Sequence, residues 1–179
     1  MFVLVLGRSG KGKTLFASYL AARSYYLAGI PVASNTPLYF PYKPLSSWAD
    51  VDNLRDHFVL IDEVNNLIDG RSASSSLNKE RTIRFNQYRK QNLIVVMTAQ
   101  QWGRVDKSIR EQLNLLYICT YHDIYEEILT VRAFLADEIN GFVPAPSLDL
   151  VLRTTDLYHM YDSFAHVTDL NLSGAGVSV

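Results

Sequence analysis

Near the start of the chain stands the run Gly7-Arg8-Ser9-Gly10-Lys11-Gly12-Lys13-Thr14. A glycine, four residues, a second glycine, a lysine and a threonine make up the spacing of a phosphate-binding loop. The apolar segment Phe2–Leu6 precedes the run, and apolar residues at helical spacing follow it from Leu15 to Leu20. The pattern therefore predicts a buried strand, a glycine-rich turn and a helix, in the order that such a loop requires.

The residue types in this run indicate how it would hold a triphosphate. Gly7, Gly10 and Gly12 let successive backbone N–H groups turn inward around an anion, and the helix that begins near Lys13 adds the positive end of its dipole. We expect Lys13 to reach the β- and γ-phosphates and Thr14 to hold Mg²⁺ through its hydroxyl. A chance match to a glycine-rich turn is the alternative, but the flanking strand and helix favour a nucleoside-triphosphate site formed by all eight residues.

Two adjacent carboxylates follow the third predicted strand, His57–Ile61. We expect Asp62 to hold the magnesium ion through water and Glu63 to polarise the attacking water. A carboxylate pair at a strand end can also cap a helix, but the phosphate-binding run upstream favours the catalytic interpretation. Glu63 favours a motor ATPase in particular, because switch GTPases and kinases use other groups.

A further polar side chain is predicted at the same edge of the sheet. Leu93–Thr98 predicts a fourth strand, and Gln100 follows it closely. Because open α/β sheets bind ligands at the carboxyl ends of their strands, Gln100 is predicted to contact the γ-phosphate or the attacking water. A solvent-exposed amide without a role is the alternative at this point.

The rest of the chain predicts one domain over residues 1–170 and a flexible tail over 171–179. Further expected elements are a helix over Lys13–Leu27 ending at Gly29, a strand at Ile30–Ser34, a short helix over Ser47–Arg55 capped by Ser47, and a fifth strand at Leu115–Cys119. Antiparallel strands are expected within Ile124–Ala136, a closing segment over Thr154–Phe164 and disorder over Ser173–Val179. The polar stretch Asn65–Lys79 is predicted to be a mobile surface loop. The four histidines lack ligand spacing and are predicted to be structural.

Bulk properties exclude several classes of function. The 179 residues carry a net charge of −1, so no overall basic field marks a nucleic-acid binder. The single cysteine, Cys119, excludes an internal disulfide. No apolar run approaches the roughly 18 residues of a membrane span, and the strand that starts at Phe2 leaves no room for a signal peptide. These features predict a soluble intracellular protein.

Six short segments carry a family resemblance. They are Gly7–Thr14, Ser34–Leu38, Leu60–Glu63, Arg89–Lys90, Thr98–Gln100 and Val105–Arg110. In this order they resemble the viral genome-packaging ATPases of the FtsK/HerA superfamily and the related zonular occludens toxin-type ATPases of filamentous phages. The resemblance covers roughly Phe2 to Cys119, with a weaker similarity at Leu157–Asp162.

The resemblance implies an α/β, RecA-like P-loop fold. Its central, mostly parallel sheet would have the strand order 5-1-4-3-2, flanked by helices, with a small C-terminal β/α extension. It also implies a ring of five or six subunits that hydrolyses ATP with Mg²⁺ at subunit interfaces. An arginine would reach the neighbouring site in trans, with Arg110 ahead of Arg89, and Arg84 and Arg71 as weaker candidates. A cation near the γ-phosphate is needed because negative charge on its oxygens must be stabilised during transfer.

Three functions follow as hypotheses. The first is a motor that moves double-stranded DNA through a central channel into a preformed capsid, docked on a capsid or membrane protein at a portal vertex. The second is an ATPase for assembly or export of filamentous virions, and the third is a P-loop small-molecule kinase. The sequence lacks the transmembrane segment and outer domain of the toxin-type relatives, which favours the first. Expected DNA-contacting loops are Asn65–Lys79 and Trp102–Lys107. The expected location is the cytoplasm of an infected host cell, with association with the virion as the alternative.

Overall fold

The computed structural model describes residues 1–64, 75–105, 107–135, 146–155 and 157–161. For residues 75–82 and 108 only the backbone is described. The predictions for 65–74, for Arg71 and for the tail 171–179 therefore lie outside the described residues.

One sheet runs through the described part of the chain. Its strands are β1 (Phe2–Leu6), β2 (Val32–Ser34), β3 (Lys43–Pro44), β4 (Phe58–Ile61), β5 (Ile94–Ala99), β6 (Leu115–Asp123), β7 (Ile128–Leu135) and β8 (Leu148–Arg153). Their order is β3-β2-β4-β5-β1-β6-β7-β8. The strands from β3 to β6 are parallel, whereas β6, β7 and β8 pair antiparallel. The predicted α/β fold and strand order are confirmed, since the five predicted strands correspond to β1, β2, β4, β5 and β6.

Helices connect the parallel strands. They are α1 (Lys13–Ala28), α2 (Trp48–Asp52), α3 (Ser75–Lys90) and α4 (Lys107–Arg110), with short 3-10 helices at Trp102–Arg104 and Tyr158–Met160. The helix α1 ends at Gly29, whose φ of 65° is the left-handed conformation typical of a helix C-terminus. Ser47 caps α2 as expected, because its side chain accepts a bond from the Asp50 backbone while the Asp50 carboxylate accepts one from the Ser47 backbone.

Both faces of the sheet are buried. Along β1, Phe2, Leu4 and Leu6 belong to one apolar cluster with Phe85 and Tyr88 of α3, and Val3 and Val5 belong to another with the apolar residues of α1. Side chains alternate across a strand, so a continuous apolar run such as β1 supplies both clusters.

The structure corrects several boundaries. Residues Ser75–Lys79, predicted as part of a loop, form the first turns of α3. The edge strand β3 lies between the predicted strand at Ile30–Ser34 and the predicted helix over Ser47–Arg55, and Pro44 is tolerated there because an edge strand needs fewer backbone donors. The strand β8 was not predicted, and β6 continues four residues beyond Cys119. This longer β6 brings the β6–β7 hairpin beside the phosphate-binding loop.

None of the helices in the described ranges combines the length and the apolarity that a bilayer-crossing helix requires.

Candidate nucleotide-binding site

The run Gly7–Thr14 connects β1 to α1 and forms a closed loop. Its first residue is fixed to the neighbouring strand, since the Gly7 N–H donates to the Ala99 carbonyl at 3.3 Å. Within the loop the Lys11 N–H donates to the Arg8 carbonyl at 3.2 Å. The Gly12 carbonyl accepts the first helical bond of α1, from Phe16 at 2.9 Å. The loop therefore lies at the N-terminus of α1 and at the carboxyl edge of the sheet, where anions bind.

A side chain at Gly12 would be strained and would press on the β6–β7 hairpin. Its φ is 78°, and a Cβ atom built there would lie 2.8 Å from Cδ1 of Leu129 on β7. Gly10 has a similar φ of 74°, but a Cβ atom there would meet no atom of the described structure within 4 Å. Conformation thus favours glycine at both positions, and packing against the β6–β7 hairpin also opposes a side chain at Gly12.

The Lys13 side chain lies under the loop. It is only 8% exposed, and its Nζ donates to the Arg8 carbonyl at 3.2 Å. The aliphatic part of the Lys13 side chain lies close to Gly7, and so does Cys119. A Cβ atom built on Gly7 would lie 3.2 Å from Cβ of Cys119 and 3.3 Å from Cγ of Lys13. Burial raises the pKa of the Cys119 thiol to about 12 despite the opposing charge of Lys13. Cys119 is therefore a neutral packing residue, and Lys13 is the cation inside the loop.

Thr14 and Asp62 meet as the sequence predicts. The Thr14 hydroxyl lies 3.0 Å from Oδ2 and 3.2 Å from Oδ1 of Asp62. Asp62 is 2% exposed, and burial raises the pKa of its carboxyl, whereas the hydroxyls of Thr98 and Thr14 and the charge of Lys13 lower it. A buried carboxylate of this kind needs a cation to offset its desolvation.

The donor set fits a magnesium ion carried by a nucleotide. Mg²⁺ is held in such sites by one or two protein oxygens together with phosphates and water. The Thr14 hydroxyl and the Asp62 carboxylate supply hard oxygen atoms at one point. No group of three or more histidine, cysteine or acidic side chains that could hold a metal occurs within the described ranges. Any ion bound between Thr14 and Asp62 would therefore complete its shell from the phosphates and water.

Glu63 has an unusual backbone conformation. Its φ is 55°, in the left-handed region that a glutamate rarely adopts. The conformation is held by Thr98 of β5, whose hydroxyl accepts a bond from the Glu63 N–H at 2.9 Å. The same hydroxyl donates to Oδ1 of Asp62 at 2.5 Å. Such strained residues cluster at functional sites, where their neighbours fix the direction of a side chain.

Asn35 holds the backbone of Asp62 from the other side. Its side-chain oxygen accepts from the Asp62 N–H at 2.7 Å, and its side-chain nitrogen donates to the Asp62 carbonyl at 3.1 Å. Asn35 directly follows β2, which pairs with β4. The buried side-chain amide of Asn35 thus extends the hydrogen bonding between these two strands beyond their last paired residues, Ser34 and Leu60.

Asn35 and Thr98 were not assigned functions from the sequence, although both lie in segments that carry the resemblance. Each is a polar residue at the carboxyl end of a predicted strand, and that position was the available signal. Together they fix Asp62 and the Glu63 backbone from two sides.

Gln100 leaves the sheet beside the loop. It follows Ala99, whose carbonyl accepts the Gly7 N–H, and its side chain is exposed. The structure therefore brings Gln100 to the same sheet edge as Lys13 and Asp62, and its contact with a γ-phosphate stays a prediction.

Among the described candidate arginines, Arg89 lies away from the loop of its own subunit, and Arg110 and Arg84 have partners outside the loop. The Arg89 guanidinium lies 6.0 Å from the ring centre of Phe2, at the opposite end of β1. Five residues of strand separate Phe2 from Gly7, which corresponds to roughly 16 Å. The Arg110 guanidinium stacks on Trp102 at 5.4 Å, and its buried Nε has no hydrogen-bond partner within the described ranges. Arg84 pairs with Asp52 at 3.5 Å. A role of Arg110 or Arg89 in a neighbouring site stays a prediction, and Arg89 is too distant for one in its own site.

One histidine contacts the loop directly. His122, predicted to be structural, lies on the extended part of β6 with Nδ1 3.3 Å from the Gly10 carbonyl. Its Nε2 lies 2.9 Å from the Tyr158 hydroxyl. Histidine spacing gave no signal for this contact, because it depends on the length of β6.

Comparisons with known proteins agree with this geometry. A sequence profile of the zonular occludens toxin (Zot) family matches residues 40–132, which is just over half of the chain. No curated protein sequence matches the chain. The N-terminal domain of zonular occludens toxin from Neisseria meningitidis has a similar fold, with a TM-score of 0.62, 16% identity, and coverage of 90% of this chain and 98% of that one.

A packaging ATPase has a similar fold as well. The DNA-packaging ATPase B204 of Sulfolobus turreted icosahedral virus gives a TM-score of 0.54 at 8% identity, covering 84% of this chain and 95% of that one. The genome-packaging NTPase B204 from Sulfolobus turreted icosahedral virus 2, in complex with ATPγS, gives a TM-score of 0.50 at 12% identity. The match covers 70% of this chain and 76% of that one. At these identities the likeness shows the fold alone. The family follows from the profile match: this chain belongs to the zonular occludens toxin family and has the fold of a P-loop ATPase.

Proposed function

We propose that this protein hydrolyses ATP at the carboxyl edge of its sheet and uses the energy in virus assembly. The observation that carries the proposal is the joint placement of Thr14, Asp62 and the Glu63 backbone, connected through the hydroxyl of Thr98. A phosphate-binding loop alone is compatible with nucleotide binding or with transfer of a phosphoryl group to another acceptor. An acidic residue held in a strained conformation beside it suits the activation of water.

Each residue has a distinct task in this proposal. The N–H groups of the loop and the Lys13 ammonium hold the phosphates, and Lys13 exchanges its bond to the Arg8 carbonyl for phosphate oxygens. Thr14 and Asp62 would hold Mg²⁺, which offsets phosphate charge when bound. Glu63 accepts a proton from the attacking water, and Gln100 orients that water or contacts the γ-phosphate.

Completion of the site by a neighbouring subunit is part of the proposal. Negative charge develops on the γ-phosphate during hydrolysis, and a cation must stabilise it. The Arg89 guanidinium lies beside Phe2, at the far end of β1 from the loop, and the Arg110 guanidinium lies on the ring of Trp102. We place Arg110 of an adjacent copy ahead of Arg89 in this role. The expected assembly is a ring of five or six copies.

The family match shifts the order of the cellular roles. Because the profile is that of the Zot family, we put assembly or export of filamentous virions first, with a viral coat or membrane protein as the docking partner. Translocation of double-stranded DNA into a capsid is the second candidate, favoured by the fold likeness to B204, which is described as a DNA-packaging ATPase. For either role we propose the cytoplasm of an infected host cell as the location, with association with the virion as the alternative.

Turnover measured against protein concentration tests the proposal. We expect the ATPase rate per subunit to rise with concentration as sites are completed between copies, and to fall at least tenfold in Arg110→Ala. Added double-stranded DNA should stimulate the rate if DNA is the cargo and leave it unchanged if the partner is a virion protein. A rate per subunit that is independent of concentration would contradict the shared site.

A further inference from the structure

The β6–β7 hairpin and the segment after β8 contact the phosphate loop through a chain of side chains that the proposed function does not use. Its members are Thr154, Tyr158 and His122, and it ends on the Gly10 carbonyl. We propose that His122 is a positioning residue for the phosphate-binding loop, holding the Gly10–Lys11 peptide so that the Lys11 N–H faces the bound phosphate. The inference rests on the proposed nucleotide site.

Donor and acceptor chemistry sets the direction of every bond in the chain. The Gly10 carbonyl is only an acceptor, so Nδ1 of His122, 3.3 Å away, carries the proton. In the neutral ring Nε2 is then an acceptor, and it receives the Tyr158 hydroxyl proton at 2.9 Å. The Tyr158 oxygen in turn accepts from the Thr154 hydroxyl at 3.3 Å. The Tyr158 hydroxyl thereby helps to hold the imidazole in the orientation that bonds to Gly10.

Backbone hydrogen bonds hold the end of this series of side chains that lies away from the phosphate-binding loop. Thr154 is fully buried, and its backbone N–H donates to the Glu127 carbonyl at 2.8 Å. Beyond Tyr158, the Met160 carbonyl accepts from the Tyr39 N–H at 3.0 Å, and Tyr161 forms a β-bridge with Leu38. Tyr158 therefore lies in a segment fixed on both sides.

The consequence for the loop follows from peptide geometry. A trans peptide directs its C=O and its N–H to opposite sides. With the Gly10 carbonyl turned toward His122, the Lys11 N–H points into the loop, where it donates to the Arg8 carbonyl at 3.2 Å. The Lys13 ammonium donates to the same oxygen. In the proposal the Lys11 N–H exchanges this bond for a phosphate oxygen when nucleotide binds. If the peptide flipped, a carbonyl would face the phosphate in place of a donor, and glycine at position 10 makes such a flip easy.

Packing restricts the loop on the same side. A Cβ atom on Gly12 would lie 3.4 Å from Cγ and 3.6 Å from Cβ of His122. The His122 ring thus covers the loop between Gly10 and Gly12. A substitution at position 122 that retains only one of the two hydrogen bonds of His122 can therefore distinguish the effect of positioning from that of packing.

Two substitutions make this separation. Asparagine places its amide N–H near the position of Nδ1, so His122→Asn retains the bond to Gly10 and loses the one to Tyr158. Glutamine places its amide near Nε2, so His122→Gln retains the bond to Tyr158 and loses the one to Gly10. We expect ATPγS to bind His122→Asn within about twofold of the wild type, and His122→Gln roughly three- to tenfold more weakly. Tyr158→Phe, which removes the hydrogen bond that orients the imidazole, should weaken binding in the same direction.

The turnover number separates positioning from a general structural defect. At saturating ATP we expect unchanged kcat in all three variants and a raised KM in His122→Gln and Tyr158→Phe. Amide hydrogen exchange in the nucleotide-free protein should be faster at Lys11 in His122→Gln than in His122→Asn. Equal affinities and equal Lys11 exchange in the two His122 variants would overturn the inference. Wild-type protein that binds no ATPγS would instead overturn the proposed function, while the exchange comparison would still test the role of His122.

Discussion

The Thr98 hydroxyl lies 2.9 Å from the backbone nitrogen of Glu63 and accepts its hydrogen bond. Because φ of Glu63 is 55°, this bond holds a residue in a conformation that the isolated chain disfavours. Thr98 is fully buried, so water cannot replace its hydroxyl. The direction of the Glu63 side chain thus depends on a residue of the neighbouring strand.

Removal of this hydroxyl should impair catalysis more than folding. Thr98→Val keeps the shape and removes both hydrogen bonds of the hydroxyl, the one from the Glu63 N–H and the one to Oδ1 of Asp62, which costs about 1–3 kcal/mol of unfolding free energy. We expect kcat for ATP to fall at least tenfold, because small misplacement of a catalytic group is costly. Thr98→Ser retains the hydroxyl and should stay within about threefold of the wild type. Equal kcat values for the two variants would show that the bond does not position Glu63.

Asn35 should matter mainly for stability. Asn35→Ala removes two buried hydrogen bonds to the Asp62 backbone, and we expect a loss of about 2–4 kcal/mol in urea unfolding. Asn53 is a matched control, since its side chain makes one exposed bond to the Ala49 carbonyl at 2.8 Å. Asn53→Ala should cost less than about 1 kcal/mol. Similar losses of unfolding free energy for both variants would contradict the conclusion that Asn35 stabilises the backbone of Asp62.

Asp62 should make the nucleotide-free protein less stable as the pH rises. Burial raises the pKa of its carboxyl, so the folded state binds the proton more tightly than the unfolded state. Its contribution to stability is then greatest below the unfolded pKa of about 4 and declines as pH rises toward the folded value. We expect Asp62→Asn to raise the Tm at pH 7 relative to the wild type, to change it little near pH 4, and to abolish hydrolysis.

Asp50 provides the control of opposite sign. Backbone and side-chain bonds from Ser46, followed by the backbone bond from Ser47, lower the pKa of Asp50 to about 2. Its contribution is present above the unfolded pKa and is lost as pH falls through about 2. Asp50→Asn should therefore lower the Tm at pH 7, and the difference should shrink in acid. A Tm at pH 7 that is lower for Asp62→Asn than for the wild type would show that the Asp62 carboxylate does not destabilise the nucleotide-free protein.

The two loop glycines should differ in tolerance. An alanine at position 10 or 12 costs about 1 kcal/mol for its left-handed backbone, but only Gly12→Ala also drives a methyl group against Leu129. We expect Gly12→Ala to have a lower Tm than Gly10→Ala, and Leu129→Val to recover part of the loss in the double variant. Additive effects of Gly12→Ala and Leu129→Val would contradict the contact.

Residues that act through local sequence were predictable. The spacing of Gly7, Gly12 and Lys13 gave the loop, and the apolar run before Asp62 gave its strand, since these patterns need no knowledge of strand partners. The bonds of Asn35 and Thr98 instead arise from the registers of β2 with β4 and of β4 with β5. The sequence predicts the strands without giving those registers.

Other features of the fold depend on where helices and strands end and on which strands pair, and the amino-acid composition does not define these. Arg89 lies far from the loop of its own chain because α3 ends at the amino edge of the sheet, beside Phe2. His122 reaches the loop only because β6 continues past Cys119. The alternating segment Leu148–Arg153 is a strand because β7 offers it an antiparallel partner. In each case tertiary pairing decided what the local pattern left open.

The most direct test of the account is ATP turnover by Glu63→Gln alongside its nucleotide affinity. The amide keeps the size of the side chain but is a poor proton acceptor, and loss of a general base lowers rates about 10²–10⁴-fold. We expect kcat to fall at least a hundredfold while the Kd for ATPγS and the Tm stay close to wild-type values. Turnover within a few fold of the wild type, with binding intact, would contradict the assignment of Glu63 as the residue that activates water.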